Sequence, residues 1–174
     1  DARMRQDHPG ELIQGARIGG TVLQDLLTQP ARPFVELLRE IQRLQADLGV
    51  EFRLRGFVRA ELLTPEQAGE MKRAGFAWML AGFESGDDRI LRGMNKHATV
   101  AQNARAVQIA RKAGLKVKAL MSIGHAGESE ASLAATEGWL REIRPDDLDV
   151  TIVAVYPGTP YHDDARETRH GVYT

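Results

Sequence analysis

Two segments of this sequence share the same order of residues, MKRAGFAWML at 71–80 and ARKAGLKVKAL at 110–120. Each closes a helical pattern with basic residues, Ala and Gly, and then enters an apolar run. Glycine suits the left-handed residue after a helix, and the basic residues suit the negative end of the helix dipole. Short helix-to-strand connections that repeat in this way predict βα units with parallel strands.

Four strands of this kind are predicted, and their apolar character predicts a sheet that is covered on both faces. The strands lie near 52–59, 76–83, 116–123 and 148–156. Capping boxes, Thr64 with Gln67 and Thr99 with Gln102, open two of the intervening helices. The predicted helices run over 33–48, 65–75, 99–114 and 129–143.

The length of the chain limits the architectures that these units can form. A complete eight-stranded barrel typically takes about 250 residues, and this chain has 174. An open doubly wound sheet, a partial barrel and a piece of a larger barrel all remain possible at this point. We predict one βα domain over 33–165, an unassigned N-terminal segment over 1–32 and a C-terminal tail over 166–174.

Composition narrows the function. The chain contains no cysteine, which excludes disulfides and iron–sulfur ligation by these residues. Five histidines lack the HxxxH or HExxH spacing of a zinc site. The net charge of -1 gives no general attraction to nucleic acid or to an anionic membrane. No apolar run reaches roughly 18 residues and no signal-peptide core is present, so we expect a soluble, cytoplasmic chain.

Ligands of parallel α/β folds bind at the carboxyl ends of the strands. There, Glu84 and Ser85 offer acceptors for sugar hydroxyls or an ammonium group, although Glu84 alone could simply cap a turn. Arg59 and Lys96 suit a carboxylate or phosphate, although each could be a solvated surface charge.

The carboxyl ends of the third and fourth predicted strands are followed by glycines and by a rigid turn, respectively. Gly124 and Gly127 would let the backbone approach a flat ring or an anion. Residues 156–160, YPGTP, form a turn that could be purely structural.

Lys118 lies in the middle of the third predicted strand. A buried lysine at such a position has a lowered pKa and can act as a Schiff-base nucleophile. The alternative is an outward lysine on an edge strand.

The motifs GFESG, MNK, IGHAGE and YPGTP, in this order between Phe52 and Asp164, resemble the C-terminal part of a radical S-adenosylmethionine (SAM) domain. The sequence is most similar to the subgroup that often carries an upstream cobalamin-binding domain. The resemblance implies a partial TIM-like barrel of six strands, with SAM lying across the strand exits.

The resemblance also implies roles for individual residues. Glu84 would bind the SAM ribose, Lys96 would face the methionine carboxylate, and Arg59 would line the same cavity. The backbone after the third strand would contact adenine, and the last strand would close the far side. The full set of candidate SAM-binding residues is Arg59, Glu84, Ser85, Lys96, Ser122, Ile123, Gly124, Ala126, Gly127, Tyr156 and Pro157.

The sequence departs from the family pattern in two places. Ala126 replaces the proline of the common Gly-x-Pro-Gly-Glu turn, and the cluster-binding CxxxCxxC segment is absent. The leading hypothesis is therefore a truncated part of a radical SAM enzyme. The intact enzyme would use a [4Fe-4S] cluster, held by a segment absent here, to cleave SAM reductively and abstract hydrogen from a substrate. Cobalamin is possible in the full-length protein.

Two other hypotheses stay open. A degenerate, non-catalytic domain could serve as a binding or interaction module, and a small βα-barrel lyase or aldolase could use Lys118. We expect no nucleic-acid or membrane partner, and we expect self-association through the sheet edge that is left exposed before the first predicted strand.

Overall fold

The computed structural model describes residues 17–18, 21–22, 32–156, 158, 166–168 and 171–173. Its helices are α1 Arg32–Leu48, α2 Pro65–Arg73, α3 Asp88–Gly93, α4 Val100–Lys112 and α5 Glu130–Ile143, with a 3-10 turn at Ala60–Leu62. Its strands are β1 Arg17–Ile18, β2 Thr21–Val22, β3 Leu54–Phe57, β4 Phe76–Glu84, β5 Lys116–Ile123, β6 Asp147–Ile152, β7 Arg166–Thr168 and β8 Gly171–Tyr173. None of the helices in these ranges is long and apolar enough to cross a membrane.

The main sheet has four parallel strands in the order β3-β4-β5-β6. Each strand is joined to its neighbour by a connection that contains a helix, so all four carboxyl ends meet at one edge. The predicted parallel βα architecture is confirmed. Two short antiparallel pairs, β1 with β2 and β7 with β8, are separate from this sheet.

The two predicted capping boxes are present. At the start of α2, Gln67 N donates to Thr64 Oγ1 at 3.2 Å, and Thr64 N donates to Gln67 Oε1 at 2.8 Å. The helix ends at Arg73, and Gly75 follows with φ of 90°. A Cβ there would clash with the carbonyl oxygen of Phe52, so the turn into β4 requires glycine.

The core lies between the helices and one face of β4 and β5. Alternate side chains of these strands are almost completely buried: Met79, Ala81, Phe83, Val117, Ala119 and Met121. Trp139 of α5 meets Phe83 edge to face, with ring centroids 5.3 Å apart. Each large side chain buried here contributes roughly 1.5–3 kcal/mol to the stability of the fold.

The prediction that both faces of every strand are covered is wrong for the outer strands. All six residues of β6 are exposed, and the exposed fraction of Ile152 is 72%. Phe57 of β3 is 77% exposed. The reason is positional, because β3 and β6 are the edges of the four-stranded sheet and the core helices pack mainly over β4 and β5. The predicted limits of 52–59 are too wide at both ends, and the strand predicted over 148–156 begins at Asp147 and ends already at Ile152.

Candidate functional site

Three polar side chains converge at the carboxyl ends of the two central strands. Glu84 ends β4, Ser122 lies near the end of β5, and Lys96 follows α3. Lys96 Nζ donates to Glu84 Oε1 at 3.0 Å, and Ser122 Oγ donates to Glu84 Oε2 at 2.8 Å. The side chains of Glu84 and Lys96 are 27% and 29% exposed. Both carboxylate oxygens of a half-buried acid therefore have partners.

The backbone at Glu84 has an uncommon conformation. Its φ is 65°, and the pairing of β4 with β5 shifts register between Gly82 and Glu84. The left-handed region costs a non-glycine residue roughly 1–2 kcal/mol. Asn95, directly before Lys96, also has a positive φ of 57°. Left-handed backbone at Glu84, and again at the residue before its partner Lys96, is typical of a functional site.

Helix α3 brings Lys96 back to the strand from which the chain departed. The carboxylate of Asp87 caps this six-residue helix by accepting from Arg89 N at 2.7 Å. After the helix, Lys96 N donates to Leu91 O at 2.9 Å. Sequence reasoning did not predict α3, because six residues are too few to show a helical period. The available signal was Asp87 as an N-cap before Ile90 and Leu91.

Gly82 provides the space in which the ion pair lies. A Cβ on this residue would be 2.5 Å from Glu84 Oε1 and 3.3 Å from Lys96 Nζ. Because glycine has no side chain, both charged groups can lie directly against the backbone at this position.

His125 extends the polar cluster, a role that the sequence did not reveal. Its Nε2 lies 2.7 Å from Ser122 Oγ. Since the Ser122 hydroxyl donates its proton to Glu84, Nε2 of His125 acts as the donor to Ser122. The sequence signal that could have predicted this contact was the position of His125, three residues after Ser122 in a tight turn.

The loop after β5 is closed by an acidic side chain. Gly124 N donates to Glu128 Oε2 at 2.6 Å, and Glu128 N donates to His125 O at 3.0 Å. Gly124 and Gly127 have φ of 93° and 77°. Both glycines and Ala126 are exposed and Ile123 is half-buried, so this backbone is open to a ligand. Its role with adenine stays a prediction.

Ser85 points away from this cluster. Its side chain is 2% exposed, and its Oγ lies 3.2 Å from Thr136 Oγ1 of α5 and accepts from Asp87 N at 3.1 Å. The adjacent Gly86 N donates to the same Thr136 hydroxyl at 2.9 Å. Ser85 therefore anchors the GFESG turn to a helix, and the structure does not support its side chain as a ligand group.

A cavity of about 240 Å³ opens next to Lys96. Its lining residues are Val58, Arg59, Glu61, Asn95, Lys96 and His97. Arg59 thus shares a cavity with Lys96, and its Nε donates to Glu61 Oε1 at 2.7 Å. The cavity is smaller than the roughly 300–1,000 Å³ of complete ligand pockets, so it suits one part of a ligand. Tyr156 is exposed beyond β6, and Pro157 lies outside the described residues.

The structure speaks against both interpretations of Lys118. It lies on β5, which is a central strand and not an edge. Its Nζ pairs with Asp149 at 2.8 Å and with Asp147 at 2.9 Å. The hydrogen bonds from Asp149 and Asp147 raise the pKa of Lys118, so the amine stays protonated and is a poor nucleophile.

The residues present fit SAM and do not fit an iron–sulfur cluster. The chain has no cysteine, and no three His, Cys, Asp or Glu side chains converge as metal ligands in the ranges that the structure describes. By contrast, an ammonium group and a carboxylate beside the bare backbone of Gly82 suit a zwitterionic nucleoside.

Fold and site together define a parallel βα protein of the partial-barrel class, with a cluster of polar side chains at the carboxyl ends of the strands. Residues 16–140 match the Radical SAM superfamily. Because this match covers more than half of the 174 residues, the chain belongs to that superfamily. The match begins upstream of the motifs that carried the sequence resemblance.

Known proteins extend this assignment. The bacteriochlorophyllide d C-12(1)-methyltransferase of Chlorobaculum tepidum is 28% identical over 166 residues, which cover 92% of this chain and 34% of the relative. Among solved structures, the radical SAM methyltransferase TsrM from Kitasatospora setae, with cobalamin and a [4Fe-4S] cluster bound, superimposes with a TM-score of 0.64 at 19% identity. That match covers 72% of this chain and 26% of TsrM.

Coproporphyrinogen III oxidase (HemN) from Escherichia coli, a radical SAM enzyme, gives a TM-score of 0.61 at 17% identity, covering 79% of this chain and 33% of HemN. At these identities the structural matches show the fold alone. The chain spans between 22% and 34% of the length of the first three curated relatives.

Proposed function

We propose that these residues form one wall of a SAM site in a longer radical SAM enzyme. The observation that carries the proposal is the Glu84–Lys96 ion pair at the strand exits, with Ser122 on the second carboxylate oxygen. A carboxylate is a suitable acceptor for two ribose hydroxyls, and an ammonium group is a suitable partner for a carboxylate. SAM carries both the ribose hydroxyls and the carboxylate that these two side chains would bind.

The chain's own residues bind and orient the ligand in this proposal. Glu84 accepts hydrogen bonds from the ribose, while Lys96 and Arg59 provide positive charge for the methionine carboxylate. The exposed backbone of 123–127 offers a surface for the adenine ring. Holding the ligand in one orientation is itself a large contribution to rate, because it replaces a random encounter by a fixed geometry.

The redox chemistry would come from outside these residues. A [4Fe-4S] cluster, when bound, supplies the electron that cleaves SAM in this superfamily, and the cysteines for it would lie on another segment of the longer protein. Cobalamin, which the TsrM structure contains, would likewise be held elsewhere. The methyltransferases among the relatives make methyl transfer one candidate reaction of the longer enzyme.

The proposal is tested by the affinity of the 174-residue chain for SAM, measured by NMR titration. We expect Glu84→Gln and Lys96→Met each to weaken binding about ten-fold or more, since each removes one charge-assisted contact. Lys116→Met is the matched control, because Lys116 lies 5.2 Å over the Trp78 ring at the opposite end of β5. Its affinity for SAM should equal that of the wild type.

Two outcomes would overturn the proposal. One is that the folded chain does not bind SAM at millimolar concentration. The other is that Glu84→Gln and Lys96→Met bind SAM as well as Lys116→Met does. Either result would favour a binding or interaction module in place of a SAM site.

A further inference from the structure

The two oxygens of the Glu84 carboxylate accept from partners that differ in the length and in the further contacts of their side chains. Oε2 accepts from Ser122, whose hydroxyl is fixed in turn by His125 at 2.7 Å. Oε1 accepts from Lys96, which has a long, flexible side chain and lines the cavity of about 240 Å³. Lys96 is therefore the partner that a ligand can displace.

A ligand that engages only one member of the pair leaves the other without a partner. An anion that draws Lys96 away exposes Oε1 of a carboxylate whose side chain is mostly covered by protein. A pair of hydroxyl groups that takes Oε1 leaves the Lys96 ammonium group unpaired in the same place. Breaking one side of a partly buried ion pair is unfavourable. A ligand that brings an anion and hydroxyl donors together avoids both losses.

We propose that the Glu84–Lys96 pair is a specificity device that opens for ligands carrying a carboxylate and a vicinal diol on one molecule. It disfavours nucleosides without an amino acid and amino acids without a nucleoside. This inference rests on the proposed SAM site and adds to it a coupling between the two halves of the ligand. The coupling is a property of the protein. Whichever half of the ligand binds first breaks the Glu84–Lys96 ion pair, which leaves the remaining charged side chain free to bind the other half.

The coupling is measured with adenosine, which has the diol, and methionine, which has the carboxylate. The dissociation constant of adenosine for the 174-residue chain is determined by NMR titration with and without saturating methionine. We expect methionine to tighten adenosine binding about ten-fold, within the usual range of couplings between two sites. Adenosine should tighten methionine binding by the same factor, because coupling free energies are reciprocal.

Lys96→Met gives a result that a purely structural role would not produce. With Lys96 removed, Oε1 of Glu84 is free, so adenosine alone should bind about ten-fold tighter than it binds the wild type. Methionine should then have no effect on adenosine binding. Lys116→Met should keep the wild-type coupling. Amide spectra of both variants confirm the fold.

The outcomes separate this inference from the proposed function. If the wild type binds SAM but methionine does not change adenosine binding, or if Lys96→Met binds adenosine no tighter than the wild type, the coupling is overturned and the SAM site stands. If the wild type does not bind SAM, the proposed function fails and this inference fails with it.

Discussion

A Cβ atom on Gly82 would lie 2.5 Å from Oε1 of Glu84, two residues further along the same strand. The carboxylate that we propose for the ribose thus occupies the space that any other residue at 82 would fill. This relationship links a glycine in the middle of a sheet to the position of the charged pair.

Gly82→Ala should displace the ion pair at little cost to the fold. The atom that a methyl group meets is the far end of a flexible side chain, so we expect a loss of roughly 1 kcal/mol or less in the free energy of unfolding. SAM affinity should fall several-fold because Glu84 and Lys96 are pushed apart. Urea unfolding and an NMR titration measure the two effects. An unchanged affinity would contradict this role of Gly82.

Gly86→Ala should have the opposite profile, with a large effect on stability. A Cβ at this position would lie 2.7 Å from the Thr136 Cα and 3.0 Å from the Trp139 Cβ, where backbone cannot move aside. We expect a loss of about 1–3 kcal/mol. Gly138 lies on α5, the helix that carries Thr136 and Trp139, and a Cβ there would have nothing within 4 Å. Gly138→Ala should therefore gain about 0.5–1 kcal/mol in the free energy of unfolding. Equal effects of the two variants would refute the close packing.

Glu84→Gly and Glu84→Ala together measure the backbone strain at the site. Both remove the ion pair, and only glycine adopts φ of 65° without steric cost. Glu84→Gly should therefore be more stable than Glu84→Ala by about 1 kcal/mol, as measured by urea unfolding. If alanine is as stable as glycine here, the left-handed conformation is not strained.

Glu70 should make stability depend on acid pH. Hydrogen bonds from Arg73 and Gln42, with a third from Arg39, lower the pKa of Glu70 from 4.5 to about 2. A lowered pKa in the folded state contributes stability above pH 4.5, and this is lost as the pH falls toward 2. Glu70→Gln should cost about 1–3 kcal/mol at pH 7.

The difference between wild type and Glu70→Gln should narrow steadily from pH 5 to pH 3 in thermal unfolding. Glu66→Gln is the control, because its exposed carboxylate pairs with Arg39 alone among the described ion pairs. It should change stability by less than about 1 kcal/mol at either pH. A constant difference for Glu70→Gln across this range would exclude the linkage.

The exposed outer strands should promote self-association of the isolated chain. Leu148, Val150 and Ile152 form an apolar row on β6, and open sheet edges recruit further strands. Sedimentation velocity should show dimers or larger species at about 100 μM or above. Val150→Lys should shift the distribution to monomer, while Leu133→Lys, an exposed apolar position on α5, should not. A monomeric wild type would contradict this proposal.

The sequence predicted the repeated architecture because it depends on local chemistry. Thr64 and Thr99 cap their helices through contacts only three residues away, and Gly75 requires a backbone angle that other residues avoid. Such signals can be read without knowing the fold. The exposure of β3 and β6 could not be predicted from the sequence, because it depends on which strands lie at the edges of the sheet.

The proximity of Glu84 and Lys96 was expected from the motif resemblance and not from local chemistry. The two side chains form an ion pair, and their roles toward a ligand stay a prediction. The burial of Ser85 against Thr136, 51 residues away, and the hydrogen bond from Ser122 to Glu84, 38 residues away, depend on the packing of separate elements. Long-range contacts of this kind leave no periodic pattern in the sequence.

The most direct test is to map SAM binding onto the chain by amide chemical-shift perturbation. We expect the largest changes at Glu84, at Lys96 and over 122–127, which surround the strand exits. Changes centred on the groove between α1 and α2, which Val35 and Arg39 help to line, or no changes at all in the folded chain, would contradict the proposal that Glu84 and Lys96 hold SAM.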